Sequence, residues 1–168
     1  MAVPASFAQP VPGDDSALFD ELERKFVRKF FPEFDWVRFD TPSPRRALDV
    51  PLERARVGLV VTAGAHLPGE APMGIDGEVR FLPVDAEAIE LTHPGYDTER
   101  AATDPDVVVP VRSLRHLVTT GVIGSLAPTV ISTMGLVPRG QDVLERSVPP
   151  ALERLRAEEV DLVLLVPA

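Results

Sequence analysis

Two short apolar runs constrain this chain more than any other feature. The runs Arg56–Thr62 and Val160–Val166 are rich in valine and leucine and show little alternation of polar and apolar residues. Strands of this kind are covered on both faces, as in a parallel sheet that has helices on each side. We therefore predict that both runs are buried strands of an α/β fold.

The order of the remaining elements predicts parallel pairing. Strands are predicted over Gly77–Pro83 and Ala88–Thr92, followed by a helix over Val111–Thr120, a strand over Val122–Ala127 that ends at Pro128, and a helix over Gln141–Glu159 that Pro149 and Pro150 interrupt. Strands joined through helices pair in parallel by right-handed crossovers. The predicted fold class is α/β, a three-layer domain with a mostly parallel sheet.

The N-terminal region predicts an arm and an aromatic helix. Residues 1–15 contain three prolines and are expected to form a flexible arm, which leaves 16–168 as a single α/β domain. From Ser16 the chain places Leu18, Leu22, Phe26 and Phe30 four residues apart, and Pro32 ends the helix. This stripe either packs on the core of the domain or docks a protein partner.

Composition excludes several classes of function. The 168 residues include no cysteine and three histidines, so disulfides, thiolate nucleophiles and every cysteine-dependent cofactor site are ruled out for these residues, and the cofactor stays unidentified. A formal net charge of −9 disfavours nucleic acid as a partner. No signal peptide or membrane-length apolar run is visible, which predicts a cytoplasmic protein without a membrane partner. Arginine far outnumbers lysine, as in proteins from GC-rich bacterial genomes.

A candidate catalytic crevice follows from the parallel prediction, because the carboxyl ends of parallel strands meet at one edge of the sheet. His66, His93, Tyr96 and Asp97 follow predicted strands, and we expect them to lie at that edge. The histidines would act as a general acid and base, or would bind a metal together with Asp97. Alternatively, each imidazole hydrogen-bonds a loop backbone, and the metal question stays open.

A second set of residues is predicted to bind a small-molecule substrate at the same crevice: Thr62, Gly64, Ser125 and Ser132. The glycine-rich stretches Gly64–Gly69 and Gly121–Gly124 lack the spacing of a dinucleotide or phosphate loop, so tight turns explain them better. Ser132 lacks the Gly-x-Ser-x-Gly context of a hydrolase nucleophile. His116, inside the predicted helix, is expected to be solvated.

A set of ordered motifs resembles a known family. In chain order these are Val60–Gly69 (VVTAGAHLPG), Thr92–Asp97 (THPGYD), Asp104–Pro110 (DPDVVVP), Gly121–Ala127 (GVIGSLA) and the closing strand Val160–Val166. Together they are similar to the selenoprotein B component of the glycine/sarcosine/betaine reductase and D-proline reductase family, over roughly residues 52–168.

The resemblance implies a reaction as well as a fold. It implies a selenocysteine or cysteine soon after the strand that matches Asp161–Val166, which reductively cleaves a carbon–nitrogen bond of a substrate held as a Schiff base on a pyruvoyl group of a partner subunit. Such a step requires a soft, polarizable nucleophile. This sequence has neither residue there, since Pro167 and Ala168 follow the strand.

Three interpretations therefore stand at this stage. In the first, the chain is a reductase-family protein that binds a small amino acid or amine and depends on a partner for its redox residue. In the second, it is a diverged enzyme that uses His66 and His93, with or without a metal, for a non-redox biosynthetic step. In the third, it is a non-catalytic module that binds a protein partner or forms a homo-oligomer through the aromatic helix.

Overall fold

A computed structural model of the chain describes residues 21–32, 37, 39, 41, 42, 44 and 46–168. Its internal contacts divide the chain into two units, Met1–Phe34 and Asp35–Ala168. The predicted arm over residues 1–15, the start of the aromatic helix and Trp36 lie outside the described residues, so those parts of the analysis stay predictions.

The described part of the first unit is helical. Helix α1 covers residues 21–30, with a π-helical segment Glu23–Val27 followed by an α-helical turn Arg28–Phe30. Leu22, Phe26 and Phe30 of the predicted stripe lie on this helix and are all exposed, whereas Leu18 lies outside the described residues.

The second unit is built on a four-stranded sheet and a separate two-stranded one. The strands are β1 (Arg56–Val61), β2 (Ala65–His66), β3 (Val79–Pro83), β4 (Glu90–Leu91), β5 (Ser125–Thr133) and β6 (Leu162–Val166). The larger sheet has the order β3-β5-β1-β6, and β2 pairs with β4. Strand β1 runs parallel to both β5 and β6, while β3 is an antiparallel edge. The prediction of a mostly parallel α/β sheet is confirmed.

Helices cover both faces of this sheet. They are α2 (Thr98–Ala102), α3 (Val111–Thr119) and α4, whose consecutive segments are Gly140–Asp142, Val143–Ser147 and Val148–Ala157. Leu114 of α3 joins the buried cluster that contains Val57 and Leu59 of β1. Between these two residues, Gly58 faces the opposite side, where a Cβ would lie 2.8 Å from Cδ2 of Leu155 in α4. The unit therefore has three layers, because successive residues of β1 contact different helices.

Pro128, which was expected to end a strand, lies inside one instead. Strand β5 continues through Pro128 because the pairing with β1 shifts there: Val57 lies opposite Leu126 and Leu59 opposite Val130. Because of this irregularity, Pro128 does not occupy a regular position of the ladder, where its missing N–H would leave a hydrogen bond unmade. The predicted end of this strand at Pro128 was wrong.

The last helix is continuous through Pro149 and Pro150. The π-helical segment Val143–Ser147 comes directly before Val148–Ala157 and widens the turn that the proline rings would otherwise crowd. Ser147 at its end is buried and its hydroxyl donates to the carbonyl of Gly77 at 2.7 Å. The predicted interruption is therefore a local widening of one helix.

Candidate functional site

The carboxyl ends of β1, β5 and β6 meet at one edge of the sheet, as the parallel topology requires. The backbone N–H of Thr62, directly after β1, donates to the carbonyl of Val166 at 3.1 Å. The Thr62 hydroxyl oxygen then accepts a hydrogen bond of 2.8 Å from the N–H of Ala168. Thr62, predicted to bind substrate, therefore ties the segment after β6 to the end of β1.

Gly135, two residues beyond β5, packs closely against three other segments. A Cβ at this position would lie 2.6 Å from the carbonyl oxygen of Ala168, 2.9 Å from Nε2 of His93 and 3.0 Å from Oγ1 of Thr62. Each distance is shorter than ordinary van der Waals contact, or at its lower limit, so only glycine fits at this position without a shift of its neighbours. We call these four residues the Gly135 cradle.

The ring of His93 presents a hydrogen-bond donor to the cradle. Its Nδ1 accepts a hydrogen bond of 2.9 Å from the backbone N–H of Gly95, so the neutral ring carries its proton on Nε2. That Nε2 atom is buried and has no hydrogen-bond partner among the described residues. Burial also lowers the pKa of the His93 imidazole, which keeps the ring neutral. A buried donor without an acceptor is costly, and a ligand that supplies an oxygen would relieve that cost.

Tyr96 holds the His93 ring from the side. The two rings are stacked with centroids 4.7 Å apart and an interplanar angle of 29°. The Tyr96 hydroxyl donates to the carbonyl of Ala63 at 2.8 Å, and burial raises the pKa of this phenol. Tyr96 therefore stays protonated and orients the imidazole.

Asp97 begins helix α2. Its Oδ1 accepts a hydrogen bond of 2.9 Å from the backbone N–H of Arg100, which caps the first turn. Within the part of the chain that the structure describes, no group of three His, Cys, Asp or Glu side chains is arranged to hold a metal ion.

A cavity of about 440 Å³ adjoins the cradle. It is lined by Tyr96, Asp97, Arg100, Ala101, Thr103, Asp104, Val107, Val108 and Ala168. His93 does not line this cavity itself, but Tyr96, which stacks on its ring, and Ala168, which approaches Gly135 beside it, both do. The volume suits a small organic molecule.

The guanidinium of Arg100 is the cationic group of the cavity wall. It lies on the exposed side of α2 and makes no ion pair with any residue that the structure describes. A planar guanidinium matches a carboxylate in geometry and charge.

His66 lies apart from this site. It is buried within β2, where its Nδ1 donates to the carbonyl of Leu67 at 3.1 Å and its Nε2 accepts from the hydroxyl of Thr92 at 2.9 Å. It neither lines the cavity nor approaches Gly135. Both ring nitrogens are occupied, which fits the alternative that this imidazole supports the backbone between β2 and β4.

The other predicted substrate-binding residues are dispersed. Ser125 pairs with Arg56 at the amino end of β1, which is the opposite end of that strand from Thr62. Ser132 is fully buried, and its Oγ accepts from the N–H of Ala65 at 2.9 Å. Gly64 has a φ of +64°, and a Cβ there would lie 1.9 Å from the carbonyl oxygen of Thr92. None of these three residues belongs to the Gly135 cradle.

Two residues of the site escaped the sequence analysis. Gly135 lies two residues after β5, and this strand was predicted to end at Pro128, seven residues before Gly135. The sequence analysis therefore did not place Gly135 at the edge of the sheet. Arg100 lies in the short helix α2, between the predicted strand Ala88–Thr92 and the predicted helix Val111–Thr120, where no element was predicted. The glycine directly after the β-branched segment Val130–Thr133 and Met134 was the available signal for the first.

No helix among the described residues is long and apolar enough to cross a membrane.

Comparison with known proteins identifies the family. The sequence pattern of the glycine/sarcosine/betaine reductase selenoprotein B family matches residues 22–168. The chain is 31% identical to the D-proline reductase subunit gamma of Acetoanaerobium sticklandii over 118 residues, which are 68% of this chain and 49% of that protein. It is 28% identical to the sarcosine reductase complex component B subunit beta of Peptoclostridium acidaminophilum over 145 residues, which are 80% of this chain and 33% of that protein.

The chain thus spans about half or less of the curated relatives that it matches. No solved structure matches it. The resemblance seen in the ordered motifs is confirmed by a family match that covers most of the chain. The chain belongs to the glycine/sarcosine/betaine reductase selenoprotein B family.

Proposed function

We propose that this chain binds the carboxylate of a small amino acid, or of an N-methylated one, within a reductase complex whose redox residue lies outside these 168 residues. The observation that carries this proposal is the buried, unpartnered Nε2–H of His93 beside a cavity of about 440 Å³. Family membership supports the reductase context.

The donors at the site favour an anionic oxygen. His93 offers a neutral N–H, and Arg100 adds a positive charge on the wall of the adjacent cavity. Hydrogen bonds from such groups to a carboxylate are stronger than those between neutral groups. Asp97 and Asp104 line the same cavity and would accept hydrogen bonds from the ammonium or amine of the ligand.

The redox step is proposed to use a residue outside these 168. None of the 168 residues is a cysteine, so the thiolate or selenolate that the family resemblance implies is not among them. The strand β6 that would lead to it is present and ends beside the Gly135 cradle. The role proposed for the residues present is to bind and orient the substrate and to exclude water from one side of it.

Calorimetric titration and a coupled assay test the proposal. The chain is titrated with glycine, sarcosine, betaine and D-proline, and the same compounds are then offered to the chain together with the proteins encoded beside it and a dithiol reductant. We expect binding of at least one compound and partner-dependent, dithiol-driven loss of that compound. Absence of binding of all four would contradict the carboxylate site, whereas binding without turnover in any mixture would contradict the reductase role.

A second candidate function rests on the same imidazole. A neutral His93 with its proton on Nε2 can donate a hydrogen bond, and then a proton, to an oxygen on which negative charge develops. That chemistry requires no thiol, so a diverged elimination or ring closure would be compatible with the cysteine-free composition. Turnover that persists without a dithiol and is lost in His93→Phe would favour this function over the reductase one.

A further inference from the structure

We propose that a second cavity, beside the first turns of helix α3, binds an α-amino acid with a branched apolar side chain. The cavity has a volume of about 450 Å³ and lies between α3, the end of β3 with the loop that follows it, and residues 104–109. We call it the α3 cavity. Among the described residues, Asp104 is the one that lines both this cavity and the cavity beside Tyr96. The proposal does not depend on the carboxylate site at His93, so either can fail alone.

The inner wall of the α3 cavity is apolar and belongs to the core. Leu82, Val109 and Val130 line the cavity, and all three are buried members of the cluster that packs on the sheet. Val84 and Ile89 also line it and pack against the same cluster. A branched aliphatic group placed in the cavity would therefore leave water for contact with leucine, isoleucine and valine side chains, which is favourable.

Arg115 gives the α3 cavity a cation that is held in place. Its Nη2 donates to the carbonyl of Val84 at 3.0 Å, which fixes the guanidinium beside the end of β3. Arg115 makes no ion pair with any residue that the structure describes, whereas Arg112, which also lines the cavity, is paired with Asp104 at 2.8 Å. The remaining N–H groups of Arg115 suit a carboxylate, which accepts two hydrogen bonds from a guanidinium in one plane.

Glu87 gives the same cavity an anion. Two other carboxylates line the cavity but are already used: Asp104 pairs with Arg112, and Asp106 accepts hydrogen bonds of 2.7 and 3.1 Å from the backbone N–H groups of Arg112 and Ser113. Glu87 is exposed and makes no ion pair or hydrogen bond with any residue in the described part of the chain. An unpaired cation and an unpaired anion around one apolar cavity match the carboxylate, the ammonium and the side chain of an apolar amino acid.

NMR titration of the full chain with leucine tests the proposal. We expect the methyl signals of Leu82, Val109 and Val130 to shift, and the signals of Tyr96 and Ala101, which line the other cavity, to stay in place. Three compounds each lack one feature of leucine: glycine has no side chain, 4-methylpentanoate no ammonium and 3-methylbutylamine no carboxylate. Each should bind at least about tenfold more weakly, because one apolar or charge-assisted contact is lost.

Arg115→Gln removes the cation but keeps an N–H for the carbonyl of Val84, and because Arg115 is exposed the variant should fold normally. It should weaken leucine binding at least about tenfold and leave the binding of 3-methylbutylamine unchanged, since that compound has no carboxylate. The matched control is Arg156→Gln, which changes an exposed arginine of α4 that does not line the α3 cavity and should bind leucine normally.

Three outcomes would overturn the proposal. One is the absence of any shift with leucine. Another is a set of shifts confined to Tyr96 and Ala101, which would place leucine in the other cavity. The third is equal affinity for leucine in Arg115→Gln and Arg156→Gln.

Discussion

The backbone N–H of Gly95 donates to Nδ1 of His93 over 2.9 Å, and this one bond decides what the opposite nitrogen of the ring can do. Because Nδ1 is an acceptor, the proton of the neutral ring lies on Nε2, which makes no hydrogen bond with any described residue. In His66 the order is reversed, since Nδ1 donates to the carbonyl of Leu67. Two histidines of one chain thus have opposite tautomers for local reasons.

The opposite tautomers can be observed directly. In long-range proton–nitrogen NMR spectra at neutral pH, we expect His93 to show the pattern of a ring protonated on Nε2 and His66 that of a ring protonated on Nδ1. The exposed His116 serves as the averaged reference. A ring of His93 that is protonated on Nδ1 would refute the donor role of its Nε2.

Removal of the His93 donor should weaken carboxylate binding. His93→Phe keeps a ring against Tyr96 but has no N–H, and we expect a loss of affinity of about 10- to 100-fold, the equivalent of one hydrogen bond to a charged group. His93→Gln restores an N–H near the same place and should recover part of the loss. Titration calorimetry with the compound that the wild type binds measures both, and His116→Gln is the control. Equal affinity in His93→Phe and the wild type would show that the ligand does not use this nitrogen.

A side chain at Gly135 should close the site and leave the fold intact. In Gly135→Ala the new Cβ would lie 2.6 Å from the carbonyl oxygen of Ala168 and 2.9 Å from Nε2 of His93. We expect ligand binding to fall at least about tenfold, because the methyl group would displace the His93 ring and the segment at Ala168. In Gly74→Ala the Cβ meets only the flexible Asp76 side chain, so this control should bind normally. Unchanged binding in Gly135→Ala would place the ligand elsewhere.

Acidification should destabilise the protein through His93. Burial lowers the pKa of this imidazole below its ordinary value of 6.5 in the folded state, so the folded protein binds fewer protons than the unfolded chain in that range. The neutral ring is fully favourable above pH 6.5, and its contribution is lost as the pH falls from there through the folded-state pKa. Denaturant unfolding between about pH 8 and about pH 5 should therefore show a steeper loss of stability for the wild type than for His93→Phe. Parallel curves would contradict the shift.

His66 should prove to be a stabilising residue. His66→Ala removes a buried ring with two hydrogen bonds, and we expect the free energy of unfolding to fall by about 2–4 kcal/mol. The same substitution at the exposed His116 should change it by about 0.5 kcal/mol or less. Denaturant unfolding compares the two variants. A stable His66→Ala protein that has lost its activity would instead restore the catalytic role first predicted for this histidine.

The two β-rich runs of the sequence were sufficient to predict the parallel strands of the sheet. Arg56–Thr62 and Asp161–Val166 predict buried parallel strands because their apolar residues lack alternation, and both strands form and pair in parallel, with β1 largely buried. The predicted burial of the second run was wrong, because β6 is the last strand of the sheet and its residues Leu162–Leu165 are exposed. Family membership was also readable, since five ordered motifs carry it. Short-range signals were sufficient for both, because each depends on residues that are close together in the chain.

The site depended on contacts between residues that are distant in the chain. Thr62, His93, Gly135 and Ala168 converge only because β5 continues through Pro128 and delivers Gly135 to the edge where β1 and β6 end. Sequence spacing could not separate His93 from His66, since both follow strands and both lie in glycine-containing segments. Their roles diverge through hydrogen bonds to Gly95, Leu67 and Thr92. The sequence by itself therefore determined the strands and the family, whereas the tertiary structure decided which histidine keeps a free donor, because hydrogen-bond saturation is a property of three-dimensional neighbours.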